Sequence, residues 1–266
     1  MKDNPTLSVK GSSNSNLTIS AAGTLEATGT IQLDGSFSNS GTVQMGNVNL
    51  SLKGNWTNDG TFAEGTSIVT FDGTVAQNID HNNNAFYQLV INAGNADTAI
   101  LLSSFEVKNL LNFLNGAMNT GTVDTVTLDS LATLSGEANG QYLIGILQTI
   151  HGVTGASTIS FGNIGVTINP QSENLGEVTV TRYTGLEIAD TTHAVSDCDP
   201  AHESIDRIYD ISPQAQPGGN IDLTLNWLSD NDNGNTALNQ SQVWKSGNGG
   251  ADWIEVGTLQ HGTSRS

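Results

Sequence analysis

The residues of this chain best suited to bind a ligand are two acidic side chains in a polar stretch. Asp230 and Asp232 lie in the sequence Asp-Asn-Asp-Asn-Gly-Asn, where oxygen-bearing side chains alternate ahead of a glycine. Calcium loops use this type of spacing, because Ca²⁺ prefers carboxylate and amide oxygens. The EF-hand pattern also requires glycine at its sixth position and glutamate at its twelfth, which are Asn235 and Ser241 here. The sequence therefore favours a solvated hairpin turn, with calcium binding through Asp230 and Asp232 as the alternative.

A second polar cluster combines two histidines with two aspartates. His193, Asp197, Asp199 and His202 fall close together in the chain. Their spacing does not place them on one helix face, so a polar loop is favoured over a metal site. Cys198 lies among these carboxylates, which disfavour its thiolate and make it a poor nucleophile.

The remaining residues do not favour enzymatic chemistry. The main enzyme alternative is a β-helix lyase or hydrolase that acts on polysaccharides. A lyase usually needs an arginine or lysine base, and all three arginines of the chain lie beyond residue 180. A hydrolase needs two carboxylates that face one groove about 5–10 Å apart. Asp34, Asp59 and Glu64 are instead expected at turns, so we predict that the protein is not an enzyme.

The backbone that must position these residues is dominated by a repeat. One pattern occupies residues 33–43 and returns at residues 52–62, an offset of 19. The matched pairs are Leu33/Leu52, Gly35/Gly54, Phe37/Trp56, Asn39/Asn58, Gly41/Gly60 and Gly46/Gly65. A fixed period near 20 residues indicates a solenoid whose coils stack on one another. Because apolar and polar residues alternate within each copy, the repeat predicts one coil of a β-solenoid.

Two of the matched pairs are predicted to form structural ladders. We expect Phe37 and Trp56 to stack as neighbouring residues of the core. Asn39 and Asn58 should stack inside a turn and hydrogen-bond to neighbouring backbone, as asparagine does in Asx turns. The alternatives are an exposed aromatic platform for sugar stacking and asparagines that act as ligands. An ice-binding face is disfavoured, because no Thr-x-Thr ladder repeats.

The strand pattern changes about halfway along the chain. Strand-like segments recur every 10–20 residues up to about residue 140, whereas residues 176–182 and 220–227 are longer alternating strands without the 19-residue offset. We therefore predict an all-β protein with two domains. A parallel, β-helix-like solenoid should occupy residues 1–149, and an antiparallel β-sandwich-like domain should occupy residues 150–266.

Composition and charge limit the partners. The chain has 266 residues, with 8 Lys and Arg against 26 Asp and Glu, for a net charge of −18. Such an acidic surface repels nucleic-acid phosphates and anionic lipid, so we expect no nucleic acid as a partner. No run approaches the roughly 18 apolar residues that a membrane span needs, so membrane insertion is not expected. The first residues lack the apolar core of a signal peptide, and we expect a mature or expressed piece of a longer protein.

Several segments resemble a known family. Residues 54–62, followed by 69–74 and 77–79, are similar to the repeat block of large secreted Bacteroidota-type surface proteins. Residues 142–165 resemble the junction of those proteins with a C-terminal β-domain, and residues 243–253 resemble its tryptophan-bearing hairpin. Members of the family are β-rich, are exported by type IX secretion and include gliding-associated adhesins. The chain departs from the family in showing no sorting domain and no signal peptide.

The resemblance and the repeat together give an expected function. We expect a non-enzymatic structural or adhesive protein, extracellular or on the bacterial cell surface, that associates with itself or with other surface-protein segments. The main alternative is a carbohydrate-binding adhesin module with a glycan as its ligand. No cofactor is expected other than the calcium considered for Asp230 and Asp232.

Overall fold

The computed structural model describes residues 15–94, 98–185, 205–234, 241–248 and 252–260. Regular structure in these residues is almost entirely β, which confirms the all-β prediction. The helical element of the described residues is one short 3₁₀-helix, η1 (Ser229–Asp232). No helix in the part of the chain described is long and apolar enough to cross a membrane.

The strands are short, and most contain three to eleven residues. In chain order they are β1 (Leu17–Ile19), β2 (Thr24–Glu26), β3 (Thr30–Leu33), β4 (Phe37–Asn39), β5 (Thr42–Gln44), β6 (Asn49–Leu52), β7 (Trp56–Asn58), β8 (Thr61–Ala63), β9 (Ile68–Phe71), β10 (Gln77–Asp80), β11 (Ala85–Asn92), β12 (Thr98–Leu101), β13 (Phe105–Asn115), β14 (Ala117–Asn119), β15 (Thr125–Leu128), β16 (Thr133–Ser135), β17 (Leu143–Val153), β18 (Ile159–Ser160), β19 (Val166–Asn169), β20 (Gly176–Thr184), β21 (Arg207–Pro213), β22 (Asp222–Leu225), β23 (Ser241–Lys245) and β24 (Ile254–Gln260).

The chain divides into two compact units. One unit comprises Met1–Ile150 with Gly162–Ile164, and the other comprises His151–Phe161 with Gly165–Ser266. In the first unit, strands from successive turns of the chain pair in parallel. One face is built by β1, β4, β7, β10, β12, β14 and β17, a second begins as β2, β5 and β8, and a third runs from β3 through β6, β9, β11 and β13. We call each turn of the chain a coil. The described coils number about six, so the predicted parallel β-solenoid is confirmed.

A continuous apolar column fills the solenoid. Its members occupy matched positions of neighbouring coils and are all buried: Ile31, Leu50, Val69, Leu89, Leu111 and Leu134. Burying an aliphatic side chain of this size contributes about 1.5–3 kcal/mol relative to exposure. Because each member rests on members from the coils before and after it, the core extends along the solenoid without interruption.

The coil changes its form after the third repeat. The three-stranded sheet β2-β5-β8 ends at β8. The fourth coil instead passes from β10 through the turn His81–Asn84 directly into β11. Asn82 and Asn83 in this turn have positive φ angles of 48° and 58°, which asparagine tolerates better than most residues. The offset on the first face rises from 19 residues, at Phe37 and Trp56, to 23, at Trp56 and Ile79.

The second unit contains antiparallel sheets. Strand β19 lies between β18 and β22 in one sheet. Strand β20 pairs with β21, and β23 pairs with β24 in a hairpin. These pairings agree with the predicted change from parallel to antiparallel strands.

Candidate functional site

The two asparagines of the repeat form a hydrogen-bonded pair inside the solenoid. Asn39 and Asn58 end strands β4 and β7, lie in register and are fully buried. Asn39 Nδ2 donates to Asn58 Oδ1 (2.7 Å) and to the carbonyl oxygen of Thr61 (3.1 Å). Asn39 Oδ1 accepts a 2.9 Å hydrogen bond from the backbone N–H of Gly41. The pair therefore ties the second coil to the third and is shielded from any ligand in solution.

The aromatic pair of the repeat lies at the centre of a buried cluster. The rings of Phe37 and Trp56 stack with their centroids 4.0 Å apart and an interplanar angle of 16°. Phe62, Phe71 and Phe86 meet Trp56 at steeper angles, with centroids 5.3–6.3 Å away. All five side chains are buried, so this cluster belongs to the core and offers no exposed platform for a sugar ring.

Sequence reasoning missed His81, which joins both ladders. Strand β10 pairs with β7 so that Ile79 lies beside Trp56, and this register brings His81 to the level of Asn58. Trp56 Nε1 donates a 3.0 Å hydrogen bond to His81 Nδ1. Because the indole N–H can only donate, Nδ1 must accept, and the ring proton resides on Nε2. Nε2 lies 3.2 Å from the carbonyl oxygen of Ala85, to which it donates.

The surroundings of His81 favour its neutral form. The ring is fully buried and stacks on Phe86 at 3.9 Å with an interplanar angle of 16°. Burial lowers the pKa of His81 to about 4, while the hydrogen bond to Ala85 and the charge of Asp80 oppose this shift. The ring is therefore uncharged at neutral pH. The 19-residue offset could not identify it, because four extra residues separate Trp56 from its partner on β10.

Charged side chains also follow the repeat. Asp34, Lys53 and Asp72 are spaced 19 residues apart, and Lys53 Nζ lies 2.7 Å from Asp34 Oδ1. The hydrogen bond and charge of Asp34 raise the pKa of Lys53. Burial raises the pKa of Asp72, which the charge of Lys53 partly offsets. Lys108 similarly pairs with Glu106 at 2.6 Å. Both lysines are therefore paired with carboxylates and do not form a basic site.

The loop considered for calcium has a different structure from the one expected. Residues 229–232 form the 3₁₀-helix η1, which ends at Asn233 in the left-handed conformation, and not a solvated hairpin turn. Asp230 is exposed, whereas Asp232 is only 8% exposed. Asp232 Oδ1 accepts a 2.9 Å hydrogen bond from Trp227 Nε1, which accounts for its burial. Calcium binding at Asp230 and Asp232 stays a hypothesis.

Other candidate metal ligands are not brought together in the part of the chain described. No group of three or more His, Cys, Asp or Glu side chains there could hold a metal ion. His193, Asp197, Asp199 and His202 lie outside the described residues, as does Cys198.

The second unit presents an aromatic side chain to solvent. Trp244 on β23 lies directly opposite Glu255 on β24 in the hairpin. Trp244 is 38% exposed, and Glu255 is also exposed. An aromatic face beside a carboxylate offers both stacking and hydrogen bonding, the contacts that a saccharide ring can use.

Comparison of the chain with protein-family models, curated proteins and solved structures found no match.

Proposed function

We propose that this protein is a non-enzymatic structural or adhesive segment of an extracellular or bacterial cell-surface protein. It associates with copies of itself or with other surface-protein segments. We also propose that the protein is one of the Bacteroidota-type surface proteins exported by type IX secretion. The resemblance of residues 54–62 to the repeat block of that family supports this origin. The observation that carries the proposal is that polar side chains of the repeat join one coil to the next.

The pair of Asn39 and Asn58 is the clearest example, and Gln77 is a second. Gln77 is buried, and its Nε2 donates to the carbonyl oxygens of Leu52 (3.1 Å) and Gly54 (2.6 Å). Its Oε1 accepts a 2.8 Å hydrogen bond from the backbone N–H of Gly73. A catalytic amide must reach substrate, whereas the side chains of Asn39, Asn58 and Gln77 are buried and hydrogen-bond within the solenoid. This use of polar groups supports a mechanical role for the coils.

Self-association is supported by the general physics of solenoids. The end coils of a parallel solenoid present strand edges that another chain can extend where no further strand covers them, and in this chain β17 of the last coil already pairs with β20. The net charge of −18 opposes close approach of copies, so assembly should strengthen as salt or divalent cations screen the charge. Cation-dependent assembly is thus the form of self-association that this charge favours.

Electron microscopy of the purified protein, with calcium and again with a chelator, tests the proposal. Regular filaments or end-to-end chains of particles are the expected result. The double variant Asp230→Asn/Asp232→Asn, imaged in parallel, separates a specific calcium site from general screening. Filaments that need calcium equally in the parent and in this variant would contradict a calcium role for the two aspartates. Separate single particles in every condition would contradict self-association.

A carbohydrate-binding adhesin module is the second candidate, and the exposure of Trp244 beside Glu255 favours it. A glycan array probed with the 266-residue chain tests it directly. Binding that is lost in Trp244→Ala and retained in Trp244→Phe would support stacking on this ring. The absence of any bound glycan, together with filaments in the microscope, would favour the structural role alone.

A further inference from the structure

The junction between the third and fourth coils depends on a histidine that must be neutral. Both ring nitrogens of His81 are committed, Nδ1 as the acceptor for Trp56 and Nε2 as the donor to Ala85. The ring is sealed from water and stacked on Phe86. Since an imidazolium has two donors and no acceptor, the observed arrangement excludes the protonated ring.

We propose that His81 is an acid-sensitive latch, which holds the third and fourth coils together while its ring is neutral and releases them when Nδ1 takes up a proton. The added proton removes the acceptor of Trp56 Nε1 and brings two N–H donors face to face. It also places a full positive charge among aromatic rings, away from water. Separation of the coils relieves both penalties, because the imidazolium then reaches solvent.

On the first face this junction has fewer paired residues than the one before it, whereas on the third face β9 pairs with four residues of β11, as it does with four of β6. Three residues of β4 pair with β7, whereas two residues of β10 do so. The sheet β2-β5-β8 ends here, and Asn58 Nδ2 is buried without an acceptor. The turn at His81 is instead held by Ser103 Oγ, which accepts from the backbone N–H groups of His81 and Asn82, each at 2.8 Å. Because Ser103 follows β12, these bonds join the turn to the fifth coil, whereas the hydrogen bond from Trp56 Nε1 to His81 Nδ1 joins it to the third.

The charged groups around His81 do not supply a counter-ion inside the core. Strands β7 and β8 contain no titratable residue. Strand β11 contains one, Tyr87. On β13, Glu106 and Lys108 pair with each other at 2.6 Å and are each about one third exposed. On the histidine's own strand, Asp80 accepts a 2.6 Å hydrogen bond from Ser103 Oγ. Asp80 favours the imidazolium, but burial has the larger effect.

The direction of the pH effect follows from linkage. The pKa of His81 is lowered from 6.5 to about 4 in the closed structure. In an opened junction the ring regains its ordinary affinity for protons, so the open form binds more protons between these two values. The closed form is therefore favoured fully above pH 6.5 and progressively less as the pH falls towards 4. The opening constant should rise about tenfold for each pH unit below 6.5, or roughly 100-fold at pH 4.5.

Hydrogen exchange on the 266-residue chain tests the latch. Protection factors of the β10 and β11 amides, corrected for the intrinsic exchange rate, should fall roughly 100-fold between pH 7.5 and pH 4.5. In His81→Asn, an amide oxygen can accept from Trp56 and does not titrate, so protection there should not depend on pH. His151→Asn, the same substitution in the other unit, should behave as the parent chain. An equal fall in the parent and in His81→Asn would overturn the proposal.

The ring itself provides a second test that needs no variant. NMR of the parent chain should show the Nε2–H tautomer of His81 at pH 7.5 and no titration until the pH falls to about 4. A ring that titrates near its ordinary pKa of 6.5 while the coils stay closed would overturn the proposal. The Nδ1–H tautomer at pH 7.5 would do the same. This measurement decides the question even where His81→Asn does not fold.

Discussion

Asn39 Nδ2 donates a 2.7 Å hydrogen bond to Oδ1 of Asn58, the same residue type one coil later. A carboxamide carries both donors and acceptors, so equal residues at equal heights can satisfy one another from coil to coil. Each asparagine in such a stack needs a hydrogen-bonding side chain at the matching position of the next coil. In the fourth coil the level of Asn58 is taken by His81, and Asn58 Nδ2 is left buried without an acceptor.

The first prediction concerns the unequal roles of the two asparagines. Asn39→Ala removes three hydrogen bonds and leaves the backbone N–H of Gly41 unsatisfied, so it should lower the free energy of unfolding by about 2–4 kcal/mol. Asn58→Ala removes one of these bonds and should cost about half as much. Asn49→Ala, at an exposed position of β6, is the matched control and should change little. Urea unfolding measures the free energy of unfolding of the three variants. Equal decreases for Asn39→Ala and Asn49→Ala would contradict the prediction.

The second prediction concerns a glycine that the stacking of coils requires. A Cβ atom on Gly54 would lie 2.6 Å from the carbonyl carbon of Gly35 in the preceding coil. Since neither backbone can move without breaking the ladder, Gly54→Ala should destabilise the protein by about 2 kcal/mol or more. Gly152→Ala is the control, because a Cβ atom there meets nothing within 4 Å. Thermal unfolding compares them, and a Gly54→Ala variant as stable as Gly152→Ala would show that the coils can separate locally.

The third prediction uses two tryptophans of opposite exposure. Trp56 is fully buried against Phe37, so Trp56→Ala should lower the free energy of unfolding by about 3–5 kcal/mol. Trp244 is 38% exposed, so Trp244→Ala should change stability by less than about 1 kcal/mol. Denaturant titration followed by circular dichroism measures both. Similar losses for the two variants would contradict the burial that distinguishes them.

The fourth prediction concerns the pH dependence of stability at Asp72. Burial raises the pKa of this half-buried carboxyl above its ordinary value of 3.8. A raised pKa means that the charged form is less favourable in the folded protein than in the unfolded chain. The contribution of Asp72 to stability is thus present below pH 3.8 and is lost as the pH rises through its folded pKa.

Asp72→Asn should accordingly be slightly more stable than the parent at pH 7, by less than about 1 kcal/mol because solvent screens the group. The difference should disappear below pH 3.8. Asp59→Asn, at an exposed position, is the control. Melting temperatures at pH 7 and pH 3.5 measure the effect, and a variant less stable than the parent at pH 7 would reverse the predicted sign.

The fifth prediction separates the two aspartates of η1. Asp232→Ala removes the acceptor of Trp227 Nε1 and should destabilise the second unit by about 1–3 kcal/mol. Asp230→Ala changes an exposed side chain and should have little effect. Hydrogen exchange of β22 and η1 measures the loss locally. If Asp230→Ala lost more protection than Asp232→Ala, and did so only when calcium is present, the metal and not Trp227 would determine the conformation of this loop.

The sequence by itself determined the solenoid, because matched residues at a constant offset must meet when coils of equal length stack. The alternation of apolar and polar residues likewise determined the strands, and the longer alternating strands after residue 150 indicated the change to antiparallel sheets. Only the tertiary structure decided that His81 stands at the level of Asn58 and accepts from Trp56. It also decided that Asp232 is buried against Trp227. Both contacts depend on how many residues each turn takes up between strands, which varies from coil to coil. Side-chain partners across such turns are therefore set by packing in three dimensions, which no fixed spacing in the sequence records.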